Sequence, residues 1–288
     1  MYVALNGTLT QGSKLSWPEF ADLAARTGYG GTDVNLGGAM KMGLDETRSM
    51  LYDKRLQPAV VGLPVDFRKD EATFQSDLKK LPEAARFSAA LGCPRMTTWV
   101  LSSAERPKAE QRRLLKDRWG VCAEIMAKHG VRFGIEFLGP VHLRKSQPYE
   151  FIYRMDEMLE LAQECGPNVG VLLDSWHWRH AEGTVSDIIA AGKERIVHVQ
   201  VADAPAGVPP EQIQDGERLM PGEGAIDWED FFGALRQIGY DDGVSPEVFG
   251  RGLKTMRPED GARLGLSYTE DVMRKAGVLG GGIERQAE

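Results

Sequence analysis

The sequence predicts a closed (β/α)8 barrel, a TIM barrel built as a single α/β domain, and three observations carry that expectation. Short β-rich runs alternate with longer amphipathic stretches along the whole chain, the pattern of parallel strands joined by helices. Eight strand candidates fit within 288 residues, a normal length for one barrel with modest insertions. The segment after the first strand, Asn6-Gly7-Thr8, is not the glycine-rich phosphate loop that opens a doubly wound sheet.

In chain order the expected strands are 2–5, 31–36, 57–63, 95–101, 132–137, 170–174, 196–201 and 243–248. Each is a run of β-branched or aromatic residues bounded by turn formers. Between them, residues 70–91, 108–129 and 149–165 place apolar side chains at steps of three and four, the period of a helix with one buried face. Ser16-Trp17-Pro18-Glu19 reads as an N-cap with proline in the first turn and the glutamate of a capping box. Gly30, Gly92 and Gly130 stand between helical runs and strands, where a C-cap glycine belongs. The run Gly38-Ala39-Met40-Lys41-Met42-Gly43 reads as loop or lid packing. Residues 205–222 form the one long irregular stretch; they follow the seventh strand and so are expected over the barrel mouth as a lid. Residues 1–278 are read as the barrel and 279–288 as a flexible C-terminal tail.

Composition narrows the function classes. A net charge of -7 argues against a nucleic-acid partner, which asks for a basic face. No stretch approaches the roughly 18 apolar residues of a membrane span, and MYVALNGTLT lacks the basic and apolar regions of a secretory signal. Cys93, Cys122 and Cys165 have no paired spacing, which fits a reducing, cytoplasmic setting.

The chemistry concentrates at four consecutive strand ends. Glu136 ends Phe-Gly-Ile-Glu, Asp174 ends Val-Leu-Leu-Asp, Gln200 lies in Val-His-Val-Gln-Val, and Glu247 lies in Val-Ser-Pro-Glu-Val. In a barrel, polar residues at C-terminal strand ends line the active site. Adjacent strands are about 4.8 Å apart, so inward side chains from four neighbours converge on one point. Each residue alone reads as an ordinary surface or capping group. Four acceptors inside apolar runs are costly unless something cationic compensates them. The expected occupant is one divalent metal ion, with Mn or Mg favoured by the oxygen donors and Co or Zn as alternatives. On the seventh strand, alternation puts His198 on the same face as Gln200, with Val197, Val199 and Val201 on the other. His198, Asp203, His142 after the fifth strand and Arg251 beyond the eighth are the further candidates for contact with substrate.

These motifs resemble the sugar phosphate isomerase/epimerase family of xylose-isomerase-like barrels. The resemblance rests on Gly-Ile-Glu136, Leu-Leu-Asp174-x-x-His177, His198-Val-Gln200-Val-Ala-Asp203, Pro221-Gly-Glu-Gly224-x-Ile-Asp-Trp228 and Glu247-Val-Phe, and it spans almost the whole chain. It implies that Glu136 and Glu247 are both metal ligands and the acid–base pair, that Asp174 is a ligand only, and that His177 contacts substrate. It implies a small-molecule carbohydrate as substrate, in a homo-oligomer such as a dimer or tetramer. The reaction expected is isomerisation or epimerisation of a sugar or keto-sugar by proton transfer through a metal-stabilised enediolate. The sequence departs from the ketose 3-epimerases at Gln200, where they usually carry histidine, and at His142, where they carry glutamate. Those departures keep open a lyase, either an inosose-type dehydratase or an eliminase of 3-keto glycosides. An endonuclease IV-like enzyme is a weaker alternative, because five histidines are few for a zinc cluster. A barrel that binds sugar without catalysis is the remaining one.

Overall fold

The computed structural model describes residues 1–279; of the expected tail at 279–288, all but Leu279 lies outside them. Eight parallel strands close into a barrel: β1 (Tyr2–Leu5), β2 (Gly31–Val34), β3 (Gln57–Gly62), β4 (Arg95–Val100), β5 (Arg132–Phe137), β6 (Val169–Asp174), β7 (Ile196–Val201) and β8 (Gly243–Pro246). Each pairs with its sequence neighbours, and β8 returns to β1. The outward faces of the strands pack on the surrounding helices in a continuous apolar layer that includes Phe133, Ile135, Val199 and Val201. No helix among the described residues is long and apolar enough to cross a membrane.

Several boundaries differ from expectation, among them β8, which stops at Pro246 before Glu247, and three differ for clear local reasons. Asn35 ends β2 early because its side chain accepts from the Gly38 N–H and starts a helix, Leu36–Met42. The Gly38–Gly43 run is therefore mostly helical and not a loop. Pro82, which has no N–H to donate, divides the expected 70–91 helix into Glu71–Leu78 and Leu81–Ala90. Tyr149–Glu150 is not the start of a helix but pairs antiparallel with Ser103–Ala104, and the helix that follows begins at Met155. The capping box forms as read, with the Glu19 carboxylate accepting from the Ser16 N–H at 2.8 Å. The left-handed residue after that first helix is Gly28 (φ 97°), two residues before the expected Gly30.

The barrel interior is layered. Arg95 seals the N-terminal end by donating to the carbonyls of Pro58 and Ala59 and pairing with Asp242 at 2.9 Å. Toward the other end, register aligns Trp99 with Glu136, Asp174 with Gln200, and Gln200 with Ser245. β7 holds one residue more than β6 at this level, because Val171 pairs with Ile196 and Leu172 with His198. A bulge of this kind redirects a side chain. Val197 consequently reaches the interior and meets Gly134, contrary to the strict alternation expected of it. A Cβ on Gly134 would lie 2.9 Å from Val197 Cβ and 3.0 Å from Thr97 Cγ2.

Gly134→Ala should therefore overpack this layer and lower stability by about 1–3 kcal/mol in urea unfolding. An unchanged midpoint would mean that Val197 does not fill the space against β5.

Candidate active site

Four strand ends deliver the site. Asp174 closes β6 and also caps the next helix: its Oδ1 accepts from the Trp176 N–H at 2.8 Å, so the chain turns at once into Ser175–His180. That fixes the carboxylate and leaves Oδ2 for the barrel axis. Gln200 donates from Nε2 to Glu247 Oε1 at 3.1 Å, which orients its amide oxygen. Glu136, Asp174 and Gln200 are buried, while the Glu247 side chain keeps 16% exposure. Glu136 Oε1 and Gln200 Oε1 are both buried without a hydrogen-bond partner. Two unsatisfied oxygens in such a place point to an acceptor-seeking ligand such as a cation. Ligand atoms of Glu136, Asp174 and His177 all lie within 4.8 Å of one another. The residues present thus fit a divalent ion, and the fit rests on these orphaned oxygens.

A cation from the chain itself also enters the cluster. Arg218, in the irregular stretch after β7, is buried to 2% exposure and donates from Nη1 to Asp174 Oδ2 at 2.7 Å and to Glu247 Oε2 at 3.0 Å. Its Nη2 donates to Asp215 Oδ1 at 3.1 Å, and its plane lies 4.5 Å from the Phe249 ring. Sequence reading missed Arg218, since no periodicity governs a residue in an irregular loop. The loop expected as a lid is ordered by two short 3-10 turns, Pro210–Gln212 and Asp215–Glu217, and by this arginine.

The electrostatics follow from crowding. Burial, then the charges of Glu247 and Asp174, push the Glu136 carboxyl well above the usual range. Burial moves Glu247 to about 7, with Arg218 opposing the rise. Burial also raises Asp174, again against Arg218. Burial alone would weaken the charge on Arg218, yet Asp174, Glu247, Asp215 and Glu136 together hold its proton more firmly than in free arginine. His177 is driven far toward its neutral form, first by burial and then by Arg218.

The neutral imidazole of His177 has one N–H to place. Arg218 Nη2, which can only donate, bonds to Nε2 at 3.0 Å, and the Gly139 N–H approaches Nδ1 at 3.3 Å. The same Nε2 lies 3.4 Å from Glu136 Oε1. The shorter contact makes Nε2 the acceptor, so His177 helps to hold the Arg218 guanidinium in the cluster. Trp99, also unforeseen, presents its ring at the mouth beside Glu136 with 48% exposure, and the Arg68 guanidinium lies 4.1 Å above it.

Other sequence candidates fall elsewhere. His198 is fully buried one layer below Gln200, bonded to Ser245 at 3.0 Å and kept neutral by burial, which lowers it to about 3; it does not reach the mouth. Asp203 is consumed by structure: its carboxylate accepts from the N–H groups of Ala204, Gly222 and Ile226 and from Trp228 Nε1. Arg251 is at the surface, paired with Glu223. His142 is half-buried on the short helix Val141–Arg144, close enough for a charge on it to disfavour protonation of His177.

The sequence profile of the xylose isomerase-like TIM barrel matches residues 17–272. The inosose isomerase of Halalkalibacterium halodurans is 25% identical over 238 residues, 81% of this chain and 80% of that enzyme. The inosose isomerase of Bacillus subtilis is 28% identical over 154 residues, 53% of this chain and 52% of that enzyme. A putative human hydroxypyruvate isomerase is 28% identical over 188 residues, 63% of this chain and 62% of that protein. Among solved structures, a xylose isomerase domain protein from Alicyclobacillus acidocaldarius superposes with a TM-score of 0.86 at 30% identity, covering 96% of this chain and 99% of that one. The IolI protein, described with a bound zinc atom, superposes with a TM-score of 0.79 at 21% identity, covering 96% and 99%.

Asp203→Ala leaves four buried donors without an acceptor and should cost about 3 kcal/mol or more in unfolding free energy. Calorimetry on the folded fraction should still show metal binding; loss of binding with undiminished stability would return Asp203 to the site.

Proposed function

Because the chain belongs to the xylose isomerase-like TIM-barrel family, whose relatives are named as enzymes, we propose that it is a divalent-metal-dependent isomerase or epimerase of a sugar or keto-sugar. The observation that carries the reading is the convergence of Glu136, Asp174, Gln200 and Glu247 with two orphaned oxygens among them. These four residues would hold the ion, and their oxygen donors favour Mn or Mg; the zinc described for IolI keeps zinc in the test. When bound, the ion supplies the positive charge that polarises a carbonyl and acidifies the neighbouring C–H.

The protein's own groups do the rest. Glu136 and Glu247 come from opposite sides of the centre, β5 and the residue after β8. Glu247, with its carboxyl near neutrality, is the readier base for the proton on carbon. Glu136, on the other side of that carbon, would return the proton to the opposite face. Removal on one side and return on the other inverts a centre; return at the adjacent carbon moves the carbonyl. His177 Nε2 accepts from Arg218 and so holds the guanidinium, whose positive charge would face the substrate oxygen as it gains charge. The face of Trp99 not covered by Arg68 would offer an apolar platform for the C–H side of a sugar ring.

The test is metal-loaded protein incubated in D2O with a panel of ketoses, aldoses and inososes, read by NMR and mass spectrometry. Deuterium should enter one C–H bond. Glu136→Gln and Glu247→Gln should each reduce turnover by about 10²–10⁴-fold, the usual range for a lost general acid or base. Full turnover in either variant would remove that residue from proton transfer, and loss of water from the substrate would move the reaction to the lyase class.

The raised carboxyls also set a pH dependence. A group whose pKa is higher folded than unfolded binds protons more tightly in the folded state, so its contribution to stability falls as pH rises between the two values. For Glu247 that window runs from the ordinary 4.5 to about 7. The melting temperature of metal-free protein minus that of its Glu247→Gln variant should decline across this window. Added Mn or Mg should restore it more strongly at pH 8 than at pH 5, because ion and proton compete for the same oxygens. A flat difference would mean that Glu247 ionises as an ordinary surface carboxylate.

A further inference from the structure

Asp33, on β2, is a carboxylate at the barrel mouth that the proton-transfer centre does not use. The register between β2 and β3 shifts at this residue, with Thr32 opposite Pro58 and Val34 opposite Val61. Asp33 thereby reaches inward across β1 to β8, where Ser245 Oγ donates to Oδ1 at 2.6 Å. Asn6 Nδ2 donates to Oδ2 at 2.8 Å. The single Ser245 hydroxyl proton is committed to Asp33, so Ser245 accepts from His198 Nε2 at 3.0 Å. His198, Ser245 and Asp33 form a one-way string in which each bond polarises the next. None of its members is a cation, since burial keeps His198 neutral.

The Asp33 side chain remains 17% exposed and helps wall an open cavity of about 340 Å³, shared with Thr10, Ser13, Lys14 and Asn35. Ser245, which donates to Asp33, stands opposite Gln200 in the β7–β8 register and two residues before Glu247, so the cavity adjoins the centre. Each carboxylate oxygen has capacity for one more donor, which is the demand that substrate hydroxyls fill. An anionic group there would meet Asp33, whose partners Ser245 and Asn6 are both neutral. Four arginines around the mouth are already engaged: Arg218 with carboxylates, Arg144 with the carbonyls of Gly139 and His180, Arg68 with the Trp99 carbonyl, Arg251 with Glu223. Lys14, exposed, is the cation in the cavity wall.

We propose that Asp33, set by Asn6 and by the Ser245–His198 string, is the hydroxyl-binding subsite for the far end of the substrate, and that the substrate is an uncharged polyhydroxylated carbonyl compound and not a keto acid or a sugar phosphate. The assignment rests on the isomerase reading for the chemistry at the centre, but Asp33 acts in binding and is tested by binding.

Calorimetric titration of metal-loaded protein with myo-inositol, D-fructose and D-psicose, alongside inositol 1-phosphate, fructose 6-phosphate and hydroxypyruvate, provides the test. At least one neutral polyol should bind, ten-fold or more tightly than its charged counterpart. Asp33→Ala should weaken that binding at least ten-fold. Asp33→Asn, which keeps the shape and removes the charge, should narrow the preference for neutral over charged ligand and remains informative if the alanine variant unfolds. Equal affinity for charged and neutral partners, indifference to both variants, or no binding of any neutral polyol would overturn the assignment. Deuterium uptake measured in parallel separates the two readings. Asp33-dependent binding without exchange on any substrate overturns the isomerase alone, and exchange with Asp33-independent binding overturns this subsite alone.

Discussion

The centre is governed by repulsion among buried carboxyls. Parallel strands in a closed barrel bring their C-terminal ends together, and in this chain three of four successive ends carry acids whose charges burial makes expensive. Some positive charge must enter, and the structure shows one source: the guanidinium of Arg218, bridging Asp174 and Glu247. The loop after β7 has to fold so that Arg218 points inward, and much of the nearby structure serves that end. Asp203 gathers the N–H groups of the Gly222–Ile226 turn and the Trp228 indole, anchoring one end of the loop. Asp215 steadies the guanidinium from outside. One arginine does not satisfy the cluster, since Glu136 Oε1 and Gln200 Oε1 remain without partners.

The same crowding explains why proton chemistry suits this place. Carboxyls in water are poor at holding protons near neutrality. Here burial lifts Glu136 and Glu247 by different amounts, because Arg218 bonds to Glu247 and not to Glu136. A pair of chemically identical groups is thereby made unequal, which is what an acid and a base facing the same carbon need. The geometry that separates them was not designed at either residue; it follows from which carboxylate the loop arginine reaches.

How far the site could be read in the sequence follows the same division between strands and loops. β1, β5 and β7 end where their composition says, and the polar residues at the ends of β5, β6 and β7 stand out because period-two alternation leaves them no apolar role. Alternation fixes the face but not the depth: His198 shares a face with Gln200 yet sits two residues lower, about 6.6 Å along the strand, inside the packed core. Nor does it foresee irregularities. The extra residue in β7 turned Val197 inward, and the shift beside β2 brought Asp33 to the axis. Arg218 was illegible for a different reason: a long side chain on an irregular loop is placed by the field it enters, and that field exists only once the strands have assembled. Asp203 was misread because a carboxylate that organises a turn and one that faces substrate look alike beside a strand end.

Gln200 shows what a neutral side chain contributes to such a centre. An imidazole has its two nitrogens on opposite sides of a ring, so one that turns toward an ion sends its other N–H away from it. An amide carries donor and acceptor on one carbon. Gln200 bonds through Nε2 to Glu247 Oε1, and this leaves Oε1 beside it, buried and free. Whatever draws on that oxygen therefore also fixes the rotation of the Glu247 carboxylate, while Arg218 holds its other oxygen. The base of the proposed reaction is thus oriented from two sides by groups that bring no further negative charge. In a cluster limited by repulsion, that is the one kind of addition the strand ends can accommodate.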